Sequence, residues 1–296
     1  MRLQGLFTLL APLSHIGESI STESYLNEEP VVQPDGTTEP VFVYNGNAWR
    51  GQLRDLAAEH LLHTLGRDGE PLRVPLPAFH LLFSGGSIGG EQSIDLQQAR
   101  TLRHNLPSLS LLGGGVGTQI LPGKIIVGNS YPVCLETLRL VPERFRPAPE
   151  LLRPYRELTM AKSFTRTDDA KDPAATEQHL TMGNGDVVQQ MRYTVELLAA
   201  GVQLYSYLIL DDPAPCELGV LVAALRRFAQ RPFIGGQSRV GHGRVDLHYT
   251  DAEGATWFAA DGHGDCTLSA PAQSALAAYE HHLAGLDPSI VRGVVA

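Results

Sequence analysis

The stretch VVQQMRYTVELLAAGVQLYSYLIL, residues 187–210, decides the fold. Val187, Met191, Tyr193, Val195 and Leu197 alternate with Val188, Gln190, Arg192, Thr194 and Glu196, the period-two pattern of a half-buried strand. Ala199-Ala200-Gly201 makes a short connection, Gln203–Leu210 reads as a second strand, and the two are expected to pair as a hairpin. Downstream, Asp211–Pro215 breaks the pattern. Leu218, Leu221, Val222, Leu225 and Phe228 then recur at helical spacing until Pro232 stops the helix. The loop PFIGGQSRVGHGRVDL (232–247) follows, and Arg244–Tyr249 alternates again as a strand. Upstream, residues 162–186 are a polar excursion without a core pattern, ending at Met182-Gly183-Asn184-Gly185.

Towards the N-terminus, Leu3–Leu10 reads as a buried strand stopped by Pro12, and Leu13–Ser19 as a turn containing His15 and Gly17. Ser21–Pro40 is polar, with Glu23, Glu28 and Glu29 as an acidic surface cluster. Asn45–Gly66 is the clearest helix. Asn45 and Asn47 are N-cap candidates, Leu53, Leu56, Ala57, Leu61 and Leu65 share a face, and Gly66 terminates it. Trp49, Arg50 and Arg54 lie in its first turns. Tryptophan there reads as core, whereas two arginines at a helix N-terminus suit phosphate. Residues 66–128 read as a glycine-rich inserted subdomain with SGGSIGG (84–90) and LLGGGVG (111–117). No Lys-Ser or Lys-Thr pair follows these glycines, so they are not a Walker loop. Within this region Ser93–His104 reads as a helix and Lys124–Val127 as a strand; Pro271–Leu286 is a further helix near the C-terminus. With the excursions removed, the order is strand, helix, strand, strand, helix, strand. That predicts an α+β fold with a ferredoxin-like, RRM-like βαββαβ core in a single palm-like domain over 1–296, carrying the 66–128 subdomain and a thumb-like β-hairpin at 162–186.

The formal charge of −9 over 296 residues argues against binding nucleic acid by bulk charge, though a local basic groove on an acidic body is compatible with it. Three cysteines, Cys134, Cys216 and Cys266, stand far apart without metal-type spacing, and His263 and Cys266 in GHGDC lack ligand partners, so neither a metal nor a cofactor is expected. A reduced, cytoplasmic chain is the simplest reading. Nothing approaches the roughly 18 continuous apolar residues of a membrane span, and MRLQGLFTLLAPL reads as the first strand rather than a signal peptide. In the 232–247 loop, Gly235, Gly236, Gly241 and Gly243 alternate with Gln237, Ser238, Arg239, His242 and Arg244. Such a loop can turn several N–H groups and two guanidinium groups towards one anion. It also reads as a tight helix-to-strand connection whose turns need glycine.

Four segments, in order, resemble the RAMP superfamily of CRISPR systems, and within it the backbone subunit that polymerises along guide RNA. They are APLSHIGES (Ala11–Ser19), NAWRGQLRDLAAEHL (Asn47–Leu61), VELLAAGVQLYSYLIL (Val195–Leu210) and GGQSRVGHGRV (Gly235–Val245). The HIGES opening and the acidic chain favour the type IV variety, with type III second. The resemblance implies guide-RNA contacts at His15, Trp49, Arg50, Arg54, Gln237, Arg239, His242 and Arg244. It also implies a thumb with Lys162 and Arg166 at its base and Met182 as its apolar tip, displacing one guide base per subunit. These contacts would go to phosphate and sugar, with base pairing supplying specificity. The implied partners are guide (CRISPR) RNA, target nucleic acid, copies of the chain in a helical filament and other effector-complex subunits. Type III backbone subunits cut target RNA with an aspartate after the first strand. The matching stretch here, YLNEEPVV (Tyr25–Val32), offers Glu28 and Glu29 instead, so binding without cleavage is expected. The alternatives are a target-cleaving ribonuclease using those glutamates and a guide-processing endoribonuclease using His15 or His242 as acid/base. The leading reading requires Arg50, Arg54, Arg239 and Arg244 to share one cationic furrow.

Overall fold

The computed structural model describes residues 1–86, 95–165 and 192–293. The chain begins with β1 (Arg2–Leu9), β2 (Ile16–Ile20), β3 (Glu23–Leu26), β4 (Glu28–Val32) and β5 (Thr38–Phe42), followed by α1 (Gly46–Thr64). Next come α2 (Leu76–Ser84), α3 (Leu96–Asn105), α4 (Pro107–Leu112), β6 (Gly114–Val116), β7 (Gln119–Leu121), β8 (Ile125–Val127) and β9 (Tyr131–Pro132). Then β10 (Thr159–Thr165), β11 (Arg192–Leu198) and β12 (Gln203–Leu210) lead into α5 (Pro215–Gln230). The C-terminal part holds β13 (Val245–Thr250), β14 (Thr256–Ala260), β15 (Cys266–Leu268), α6 (Ala270–Ala284) and α7 (Pro288–Arg292).

The largest sheet has the order β15-β14-β13-β1-β12-β8, with β9 also on β12. Its inner four strands, β13-β1-β12-β8, are antiparallel throughout. Taken along the chain they read β1-α1-β8-β12-α5-β13, the βαββαβ order with β1 central. The strand RLQGLFTL alternates, and its buried residues Leu3, Phe7 and Leu9 are at most 1% exposed. Phe7 meets the Trp49 ring of α1 edge-on at 5.3 Å, and Trp49 meets Phe228 of α5 at 4.9 Å. Trp49 Nε1 donates to Tyr249 Oη on β13 at 3.1 Å, so one side chain ties two helices to two strands. Gly5 allows β1 and β13 to close up, since a Cβ there would lie 1.9 Å from the His248 carbonyl oxygen.

The expected hairpin over Val195–Leu210 is not a pair. β12 lies beside β1 in the large sheet, whereas β11 lies between β10 and β3 in a second sheet of order β10-β11-β3-β2. The Ala199–Gly201 connection is a corner between sheets. Gly201 N–H donates to Leu9 O at 2.7 Å, and Leu13 and Leu198 exchange backbone bonds, so the chain from 198 to 210 follows the turn after β1. On the edge away from β1, β12 pairs antiparallel with the three-residue β8, far upstream in the chain.

β10 and β11 pair in register from Thr159↔Leu198 to Thr165↔Arg192. The rest of the 162–186 excursion, from 166 onward, lies outside the described residues. Region 66–128 contains α2, α3, α4 and the β6–β7 pair, and its last residues, Ile125–Val127, belong to the core sheet. Among the described residues no helix is long and apolar enough to cross a membrane.

His60 on α1 lies against Tyr279 of α6, ring centres 5.8 Å apart, with its Nε2 lacking a partner. Burial, reinforced by Arg227, Arg226 and His63, depresses its pKa from 6.5 to about 4. The unfolded chain therefore takes up a proton near pH 6.5 that the folded chain refuses until about 4, and stability falls as the pH drops through that window. The urea midpoint should be lower at pH 4.5 than at pH 7, with part of the drop missing in His60→Gln. An identical drop in both proteins would contradict this.

Candidate nucleic-acid interface

The chain leaves β1 through a turn at Pro12–Ser14, and the glycine-rich loop after α5 is fastened to it. Gly236 N–H donates to Ser14 O at 2.6 Å, Gly243 N–H to Pro12 O at 2.8 Å, and Ile234 N–H to Gly243 O at 2.8 Å. Gly235 (φ +70°) and Gly243 (φ +80°) sit in the left-handed region. A Cβ on them would lie 2.4 Å from Ser14 O and 2.0 Å from Ile234 O respectively. These two glycines therefore serve close packing. The N–H groups of Val240, Gly241 and His242 bond within the loop, to Gln237 O or Ser238 O, which leaves those of Gln237, Ser238 and Arg239 outside this network. The loop is a tight connection first, and any anion cradle is confined to Gln237–Arg239.

Beside it lies a groove of about 690 Å³. His15, Asn47, Gly51, Gln52, Gly235 and Ser238 line the part near the start of α1, and Asp55, Glu59, Arg227 and Arg231 line the part farther along that helix. The first-strand turn, the helix start and the glycine loop, three of the four segments singled out in the sequence, thus meet at one place. His15 packs edge-on against Tyr44 at 5.0 Å, and its Nε2 accepts the Asn45 N–H at 3.5 Å. Burial lowers its pKa, favouring a neutral imidazole. At the other end, burial and then Glu59 raise the pKa of Asp55, while Arg227 is paired to Glu59 at 3.4 Å. That end carries two carboxylates and two guanidinium groups and so no net positive charge, whereas the His15–Ser238 end is polar and lacks carboxylates.

The expected cationic furrow is not assembled. Arg50 donates to Leu112 O at 2.6 Å, and Arg54 to Gly113 O and Leu112 O, both at 2.8 Å. Both guanidinium groups neutralise the C-terminal carbonyls of α4 and fasten the inserted subdomain to α1, which takes them out of the expected furrow. Trp49, 1% exposed, is core rather than contact. Arg239 is exposed, and among the described residues it makes no ion pair; Arg244 is half-buried beside Asp246. Lys162 is exposed on β10, its ammonium 5.2 Å from the Phe164 ring centre. His242, 4% exposed, stands edge-on to Phe164 at 6.3 Å. Gln237 (φ +58°) holds a left-handed turn residue that starts the Ser238–Val240 turn. Arg166 and Met182 lie outside the described residues. The sequence reading missed Phe164 and Tyr193, directly opposed across β10 and β11. One aromatic residue near the start of the polar excursion and another in the alternating run after it were the available signal.

Glu28 and Glu29 are adjacent on β4 and so face opposite sides. Tyr155 Oη donates to Glu28 at 2.7 Å, and Tyr131 Oη to Glu29 at 3.2 Å. Among the described residues, no group of three or more His, Cys, Asp or Glu side chains is placed to hold a metal ion.

No protein-family model matches the sequence, and neither does any curated protein. Among solved structures, a chain of a type IV-B CRISPR complex shares the fold, with a TM-score of 0.59 at 19% identity. The match covers 85% of this chain and 91% of that one.

Proposed function

We propose that this chain is a guide-RNA-binding backbone subunit of a type IV CRISPR effector complex. It lines up along the RNA as repeated copies, contacts other subunits of the complex, and presents guide bases for pairing with a target strand. The observation that carries this reading is the fold shared, over nearly the full length of both chains, with a chain of the type IV-B CRISPR complex. The meeting of His15, the α1 start and the glycine loop at one groove supports it. The subunit is non-catalytic in this reading, since Glu28 and Glu29 are held apart by separate tyrosines. Specificity then belongs to base pairing, and the protein supplies shape and charge.

The cations available to the strand are Arg239, Lys162 and Arg244. Three phosphate contacts on a single strand give a log–log salt slope of about −2. Fluorescence anisotropy of labelled single-stranded RNA over a salt series should show that slope. The double change Arg239→Ala with Lys162→Ala should flatten it by about 1.4. Binding that ignores salt, or a slope untouched by the double change, would overturn the reading.

A further inference from the structure

We infer that the groove between α3 and β7, in the inserted subdomain, is a docking surface for an acidic amphipathic helix of a partner protein. It stands independently of the guide-RNA reading. Leu96, Ala99, Arg100 and Arg103 occupy positions i, i+3, i+4 and i+7 of α3, so they share one face of that helix. With Leu121 of β7 and the following Pro122 they line a groove of about 400 Å³. Ala99 and Leu121 are buried, while Leu96 is 68% exposed.

The cations of this groove are not offset. Between residues 95 and 124 the one acidic side chain is Asp95, and it caps α3 by accepting the Gln98 N–H at 2.7 Å. Among the described residues neither Arg100 nor Arg103 makes an ion pair. Arg103 donates to Pro122 O at 2.6 Å, which pins its guanidinium across the groove and uses one of its five N–H groups. On a chain of net charge −9 this is a local basic surface, and charge complementarity selects an acidic occupant.

The apolar lining selects the class of that occupant. A nucleic-acid strand would meet the guanidinium groups with its phosphates. Among the described residues, however, no aromatic side chain lines the groove to stack a base, and Leu96 would keep no apolar partner. A helix with glutamates three residues apart carries carboxylates at about 5–6 Å, the i, i+3 spacing that Arg100 and Arg103 share. Its apolar face would cover Leu96, and its carboxylates would meet the two guanidinium forks.

The test uses the full chain and a fluorescent amphipathic peptide of about 15 residues, with glutamate on one face and leucine on the other, beside the same peptide with glutamine for glutamate. The native chain should bind the glutamate peptide at least about tenfold more tightly than the glutamine one, and Arg100→Glu should abolish that preference. Leu96→Asp, at an exposed position that the fold tolerates, should weaken the glutamate peptide as well. No binding of the glutamate peptide, or equal binding by the native chain and Arg100→Glu, overturns the inference. So does oligouridylate binding that Arg100→Glu removes while the peptide stays unbound, an outcome that gives the groove to nucleic acid. Peptide affinity should be unchanged by Arg239→Ala with Lys162→Ala. Its loss there would move the peptide to the glycine-loop side and sink the α3 site, whereas RNA binding can fail without touching it.

Discussion

Replacing Trp49 by alanine is expected to destabilise the fold by about 3–5 kcal/mol. The indole fills the junction where β1, β13, α1 and α5 meet, in edge contact with Phe7 at 5.3 Å and Phe228 at 4.9 Å. Its removal opens a cavity that these rings, each fully buried, cannot collapse to fill. The lost hydrogen bond matters less, because Tyr249 Oη keeps Ser206 Oγ at 3.0 Å. Trp49→Phe retains most of the packing and forfeits chiefly that bond, about 1 kcal/mol. Urea unfolding of the two variants separates the cavity from the bond. The phenylalanine variant should bind RNA as the native chain does. A large loss of RNA affinity in Trp49→Phe at unchanged stability would return the indole to the binding surface.

Local periodicity is what made this fold legible. β1, α1, α5, α6, β12 and β13 each carry a pattern that buries one side, and each appears within a few residues of its expected place. The pairings were less legible. Gly201 looks like a hairpin turn because a corner between sheets and a hairpin need the same short connection between two alternating runs. One partner of β12, Ile125–Val127, is too short to show a period and is set by a contact more than 75 residues away in sequence. The site divides in the same manner. His15 and the glycine loop meet because Gly235 and Gly243 permit close approach, which the glycines advertised. Arg50 and Arg54 were legible as cations at the start of a helix. Whether a cation meets phosphate or the end of another helix is decided by tertiary packing, here by α4. Phe164 and Tyr193 were invisible as a pair because 28 residues separate them, and only the register of β10 against β11 puts them side by side.

Gly243→Ala is expected to destabilise the chain by about 3 kcal/mol and to weaken RNA binding at least tenfold, while Gly241→Ala should cost about 1 kcal/mol and leave the α1 groove intact. The two glycines have similar backbones, φ +80° and +86°. They share the left-handed strain that any Cβ adds, so that strain cannot distinguish them. Their surroundings do. A methyl group at 243 would lie 2.0 Å from Ile234 O, in a backbone that cannot yield without releasing two bonds, Gly243 N–H to Pro12 O and Ile234 N–H to Gly243 O. At 241 the methyl group meets nothing within 4 Å. Losing the first pair of bonds lifts the loop from the Pro12–Ser14 turn and carries Gly235 and Ser238 away from His15, so stability and binding fall together. Urea midpoints and anisotropy on one RNA read both effects. Equal behaviour of the two variants would mean that the loop keeps its place without the close contact at 243, and that the groove is not shaped by the fastening of these two turns.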